Sequence, residues 1–156
     1  MTSAPTIRPL TAADADACDR IVAGLPDWFG LERGIREAAD AVRTQEGLVA
    51  ELPDGSVGGF LTWVRHFPEA AEITWMAVDA GRHRRGNGRA LVESLCRRLA
   101  ANGARLLLVK TLAASGDSPE YERTRAFYLA SGFLPLQVLP ELWDEQNPCL
   151  LLVRPL

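Results

Sequence analysis

At 156 residues, 47% apolar and 24% charged, the chain has the size and make-up of one compact globular domain, residues 1–156. A net charge of −3 gives no general attraction to nucleic acid or anionic lipid, and no apolar run nears the ~18–20 residues that cross a bilayer, so neither is an expected partner. Three widely spaced cysteines, Cys18, Cys96 and Cys149, form neither a disulfide framework nor a metal-ligand pattern; we expect no metal and a reduced, cytoplasmic setting.

Met1–Thr6 lacks the basic and apolar regions of a signal peptide. Thr6–Leu10 reads as a short strand. Thr11, with Asp14 three positions on, opens a helix that runs to Ala23 and stops at the Gly24–Pro26 break. Asp27–Gly30 is a loop carrying two aromatics. A second helix then places Leu31, Ile35, Ala38, Ala39 and Val42 on one face. Leu48–Leu52 and Val57–Val64 are strands joined by Pro53-Asp54-Gly55, a hairpin signal. The turn His66–Glu69 leads to a third strand, Glu72–Val78. Strict alternation along it puts Glu72, Thr74, Met76 and Val78 on one face.

A Gly-rich turn precedes a helix from about Gly88 to Ala101, with Leu91, Leu95 and Leu99 on one side. Arg105–Lys110 is a buried strand and Leu112–Pro119 a loop. Glu120–Ser131 is a helix stopped by Gly132. Phe133–Leu139 and Cys149–Arg154 are the last strands, separated by a loop that contains Trp143. No repeat or linker interrupts this order, which gives an α/β (α+β) sandwich with a mixed sheet.

The chemistry concentrates between the third strand and the following helix. Arg82, Arg84, Arg85 and Arg89 surround Gly86 and Gly88, which let the backbone curl so that successive N–H groups converge. The helix behind them aims its positive end at the same point. A di- or triphosphate suits such a site. The chain lacks the G-x-x-x-x-G-K-[ST] of a P-loop, and Leu91 stands where a dinucleotide fingerprint needs its third glycine.

A strand ending in Ala77-Val78, followed by Arg84-Arg85-Gly86-Asn87-Gly88-Arg89-Ala90-Leu91, resembles the acyl-CoA signature Q/R-x-x-G-x-G/A of the GNAT superfamily of N-acetyltransferases. His83 departs from its first position. About 40 residues on, Phe127-Tyr-Leu-Ala-Ser-Gly-Phe133 is similar to the superfamily's F-Y-x-x-x-G-F element. The resemblance covers nearly the whole chain. It implies a mostly antiparallel central sheet flanked by about four helices, with acetyl-CoA as acyl donor.

By that resemblance the CoA pyrophosphate lies on the backbone of His83, Arg84, Arg85, Gly86, Asn87, Gly88, Arg89 and Ala90. Met76, Ala77 and Val78 offer backbone groups to the pantetheine arm and acyl carbonyl. Tyr128 matches the tyrosine that protonates the departing thiolate; Tyr121 stands where relatives often carry an Asn. Ala71–Val78 is similar to the strand of family histone acetyltransferases whose glutamate is the general base, which makes Glu72 the candidate here. Asp27, Trp28, Phe29, Glu32 and Trp143 fall where family acceptors enter.

The acceptor is then an amine-bearing small molecule, peptide or protein, and the exposed C-terminal strand edge would permit a homodimer. Two other readings are a non-catalytic acyl-CoA-binding or regulatory domain, and a nucleic-acid-binding module built on Arg82–Arg98. The acidic balance and the lack of basic-aromatic interleaving weigh against the second.

Overall fold

The computed structural model describes residues 4–29, 32–83, 85–114 and 118–156. The expectations for Gly30, Leu31, Arg84 and the middle of the 112–119 loop lie outside those residues. Among the described residues are seven strands: β1 (Thr6–Pro9), β2 (Glu46–Glu51), β3 (Val57–Phe67), β4 (Ala70–Val78), β5 (Leu106–Leu112), β6 (Leu134–Asp144) and β7 (Asn147–Pro155). Four α-helices accompany them: α1 (Ala15–Ala23), α2 (Glu32–Thr44), α3 (Asn87–Ala101) and α4 (Pro119–Ala130).

The strands form one sheet in the order β1-β2-β3-β4-β5-β7-β6. β4 and β5 pair in parallel, whereas β1/β2, β2/β3, β5/β7 and β6/β7 are antiparallel. A parallel neighbour needs a long crossover, and α3 is that connection. The mixed, mostly antiparallel sheet with four helices agrees with the sequence reading.

The chain divides into two compact units, Met1–Val64 with Thr74–Arg98, and Arg65–Ile73 with Leu99–Leu156. In the first, Cys18, Ile21 and Val22 of α1 and Ala38 and Val42 of α2 pack with Val49, Phe60 and Ala77 of the strands. Fully burying side chains of this size stabilises by about 1.5–3 kcal/mol each. The start of α1 is tied to β1 by one carboxylate. Asp14 accepts the Thr11 N–H at 2.8 Å and two Arg8 guanidinium N–H groups at 2.9 Å. This is the acidic half of the expected capping arrangement, placed on a short 3-10 turn, Ala12–Asp14, ahead of α1.

In the second unit β7 lies between β5 and β6, and Leu107, Phe133 and Leu152 are buried. α4 ends where Gly132 adopts φ +90°, and the Phe133 N–H returns to the Tyr128 carbonyl at 3.1 Å. That reversal is the physical role of the glycine in the F-Y-x-x-x-G-F element.

Two expectations about strand limits are corrected. β3 continues through His66 and Phe67, so the turn shrinks to Pro68-Glu69. β6 reaches Asp144, so Trp143 sits in a strand and not in a loop. Pro140 is tolerated there because β6 is an edge strand. The tight return to β7 is held by the Asp144 carboxylate, which accepts the Gln146 N–H and the Asn147 amide at 2.9 Å.

The Arg8 hydrogen bonds pull the Asp14 carboxyl down from its ordinary value to about 2. A depressed carboxylate contributes stability that is present above its unfolded pKa and lost as pH falls through the folded one. Acid unfolding should therefore draw on this contact between about pH 4 and 2. Asp14→Asn should cost about 2 kcal/mol at neutral pH and flatten the stability profile over that window, as read by denaturant titration.

Candidate active site

β4 ends at Val78, and the Asp79 carboxylate accepts the Gly81 N–H at 2.9 Å to start a short 3-10 turn. His83 folds back, its Nε2 2.9 Å from the Val78 carbonyl and its ring edge-on to Trp28 at 5.5 Å. Gly86 then takes φ +83°, a conformation that costs a side-chain-bearing residue, and α3 begins at Asn87. The Ala90 N–H closes on the Gly86 carbonyl at 2.9 Å. The N–H groups of Asn87, Gly88 and Arg89 therefore precede the first turn's bonds and have no intrahelical acceptor. Arg85 and Arg89 are exposed beside them, and a Cβ placed on Gly86 would meet nothing within 4 Å. The turn is open, positively polarised and flanked by guanidinium groups. It fits an anion such as a pyrophosphate.

Alternation fails once along β4. Phe60 and Thr62 face the same way, being two residues apart in regular register with β2. Thr62 Oγ1 lies 2.8 Å from Thr74 Oγ1, and Phe60 shares its buried cluster with Ala77. Two steps along β3 thus match three along β4. Val78 meanwhile lies on the Gly59 and Leu91 side, its Cγ2 3.2 Å from where a Gly59 Cβ would be. β4 holds one extra residue around Trp75 and Met76, a β-bulge. Thr74 and Val78 consequently point to opposite faces, which corrects the shared face read from the sequence. A bulge also takes backbone groups out of the ladder, beside Met76 and Ala77.

On the same side Thr74 donates to Gln45 Oε1, which leaves Thr62 to donate to Thr74. Phe29 packs against Trp75 at 6.0 Å, and both lie against the α1–α2 core. Of the acceptor-side candidates, Trp28 and Phe29 are thus brought to the signature turn and to β4. Asp27 and Glu32 are exposed nearby in sequence, and Trp143 lies on β6 in the other unit, 48% exposed.

That second unit holds the two proposed proton-transfer residues. Glu72 is buried, with its Oε1 2.7 Å from His66 Nε2 and its Oε2 3.2 Å from Lys110 Nζ. β4 and β5 set this pairing. Glu72 is in register with Leu108, so Lys110, two residues on, presents the same face. Burying a carboxylate is costly unless donors compensate, and here two do. His66 and Lys110 were not among the sequence candidates. The signal was present, since Pro68-Glu69 makes a hairpin that brings His66 across from the start of β4, but assigning His66 to the turn concealed it.

Tyr128 is buried on α4, its ring edge-on to Phe127 at 5.3 Å and to Phe133 at 5.4 Å. Burial, with a smaller contribution from Tyr121, raises its phenol above the ordinary tyrosine value. Burial raises Tyr121 as well. Both tyrosines of the chain therefore keep their protons beyond the usual range. Ultraviolet titration of the folded protein should show little tyrosinate at pH 10, with the full signal released on denaturation.

The fold and the sequence define the chain as an acyltransferase. The model of the GNAT acetyltransferase domain matches residues 43–135, more than half of the chain, and the protein belongs to that family. A search of the curated proteins returned no match. Among solved structures it is similar to a protein from Desulfovibrio desulfuricans assigned to the GNAT acetyltransferases, with a TM-score of 0.85 and 21% identity over 97% of this chain and 99% of the other. Ard1 from Thermoplasma volcanium gives 0.78 and 21% over 99% of each chain. An aminoglycoside 6'-N-acetyltransferase in complex with coenzyme A gives 0.74 and 16% over 96% of each. At these identities the likeness establishes the fold.

Proposed function

We propose that the protein transfers an acetyl group from acetyl-CoA to a primary amine by direct attack in a ternary complex. The observation that carries this reading is the open turn at Gly86, with its positive φ, in front of the 15-residue helix α3. The backbone of His83–Ala90 cradles the pyrophosphate, with the N–H groups of Asn87, Gly88 and Arg89 as donors, and Arg84, Arg85 and Arg89 add charge. The coenzyme A bound to the aminoglycoside acetyltransferase of the same fold supports this donor, and that enzyme's name supports an amine-bearing small molecule as acceptor.

The thioester carbonyl lies against the backbone of Met76, Ala77 and Val78, where the bulge frees groups from the ladder. An N–H there stabilises the oxyanion by about 3–4 kcal/mol. Tyr128, kept protonated by burial, gives its proton to the departing thiolate. Glu72 takes the proton of the acceptor ammonium. A lysine-like amine is neutral in only about one molecule in 2,500 at pH 7, so proton removal is worth about 4.6 kcal/mol. The acceptor approaches by Asp27, Trp28, Phe29, Glu32 and Trp143. Attack is direct because the cysteines are poor nucleophiles: all three are buried, and burial pushes the Cys18 thiol up to about 12 and raises Cys149.

Calorimetry with acetyl-CoA tests the donor site: the parent should bind in the micromolar range, and Gly86→Glu should abolish binding by filling the cradle with a repelling side chain. Absence of binding to the parent at 100 μM would sink the reading. Tyr128→Phe should lower kcat about 10- to 100-fold with little change in acetyl-CoA affinity. Binding without thiol release from any amine, unaltered in Tyr128→Phe, would instead establish a non-catalytic acyl-CoA-binding domain.

A further inference from the structure

Both oxygens of Glu72 are already engaged, Oε1 by His66 and Oε2 by Lys110. A buried carboxylate facing an ammonium has nowhere to discharge a second proton except through a neighbour that titrates and reaches water. Lys110 does not serve, since an ammonium carries no free lone pair. His66 does. Its side chain is 47% exposed, its Nε2 is at hydrogen-bond distance from Glu72, and no described contact engages its Nδ1. The Cys149 thiol on β7, which also lies near Glu72 and Lys110, does not replace it, because it is buried and raised by burial.

We propose that His66 is a positioning and proton-outlet residue for the general base. It orients Glu72 at rest and carries the acceptor's proton from Glu72 to solvent during turnover. The proton balance closes. The acceptor ammonium gives its proton to the Glu72 carboxylate. With Glu72 protonated, the half-exposed imidazole exchanges through water to its Nδ1–H tautomer. The carboxylic acid then passes its proton to the freed Nε2 lone pair, and the imidazolium releases the Nδ1 proton to water, which restores the carboxylate and the Nε2–H donor. Lys110 Nζ stays 3.2 Å from Glu72 Oε2 and takes no part in the transfer. The inference rests on the acetyltransferase reading above and assigns one more residue to it.

The test compares the parent with His66→Gln on two acceptor classes, strongly basic alkylamines and weakly basic amines already neutral at pH 7. Glutamine keeps a side-chain donor toward Glu72 but cannot carry a proton. The expected result is a kcat loss of about tenfold or more on alkylamines, little change on weakly basic amines, and an unchanged KM for acetyl-CoA. Added imidazole should restore much of the alkylamine rate. An equal loss on both classes, failure of imidazole to rescue, or no loss at all would overturn the role of His66. Acetyl-CoA binding by the variant reports folding, with His66→Asn as substitute should His66→Gln fail it. Turnover by the parent separates the two ideas: an active parent indifferent to His66 leaves the acetyltransferase reading intact.

Discussion

One extra residue in β4 sets the arrangement of chemical groups along that strand. Side chains of an extended strand alternate, so any residue inserted without a partner reverses every face beyond it. Before the bulge, Glu72 and Thr74 share the side on which Thr62 lies; after it, Val78 turns toward Gly59 and Leu91. Without the insertion Val78 would point toward the α1–α2 core that Ala77 fills. A strand can thus present a buried carboxylate, a change of face and the root of the Gly86 turn within nine residues.

The electrostatics follow a consistent economy. Each buried carboxylate among the described residues is met by more than one donor: Asp14 by Arg8 and the Thr11 backbone, Glu72 by His66 and Lys110. The exposed arginines at the Gly86 turn are arranged in the opposite way, concentrated where no carboxylate is needed to hold them. Charge satisfied inside the protein builds the frame; at the turn it is left open toward solvent.

Much of this was readable in the sequence. Pro53-Asp54-Gly55, Gly86 of the signature turn and Gly132 mark places where the backbone must reverse or adopt positive φ, and few residue types allow that, whereas Gly88 lies within the first turn of α3. The leucines of α3 declare a buried face by their spacing. The bulge was not readable. Ile73-Thr-Trp-Met-Ala-Val78 offers no glycine or proline to mark it, and only pairing with β3 shows the slip. Trp143 was misplaced for a related reason: Pro140 reads as a break, yet an edge strand has a free side on which the missing N–H costs nothing. The partners of Glu72 depended on tertiary register, in which β5 brings Lys110 alongside from 38 residues away.

The burial of all three cysteines has a practical consequence for anyone who studies the protein. Chromogenic disulfide reagents attack thiolates they can reach, and a buried thiol with a raised pKa offers neither access nor charge. The native chain should therefore contribute almost no background colour while a small-molecule thiol accumulates around it. By the same logic a single cysteine engineered onto the surface would be the one position to take a fluorophore, giving a clean optical handle without deleting any native residue.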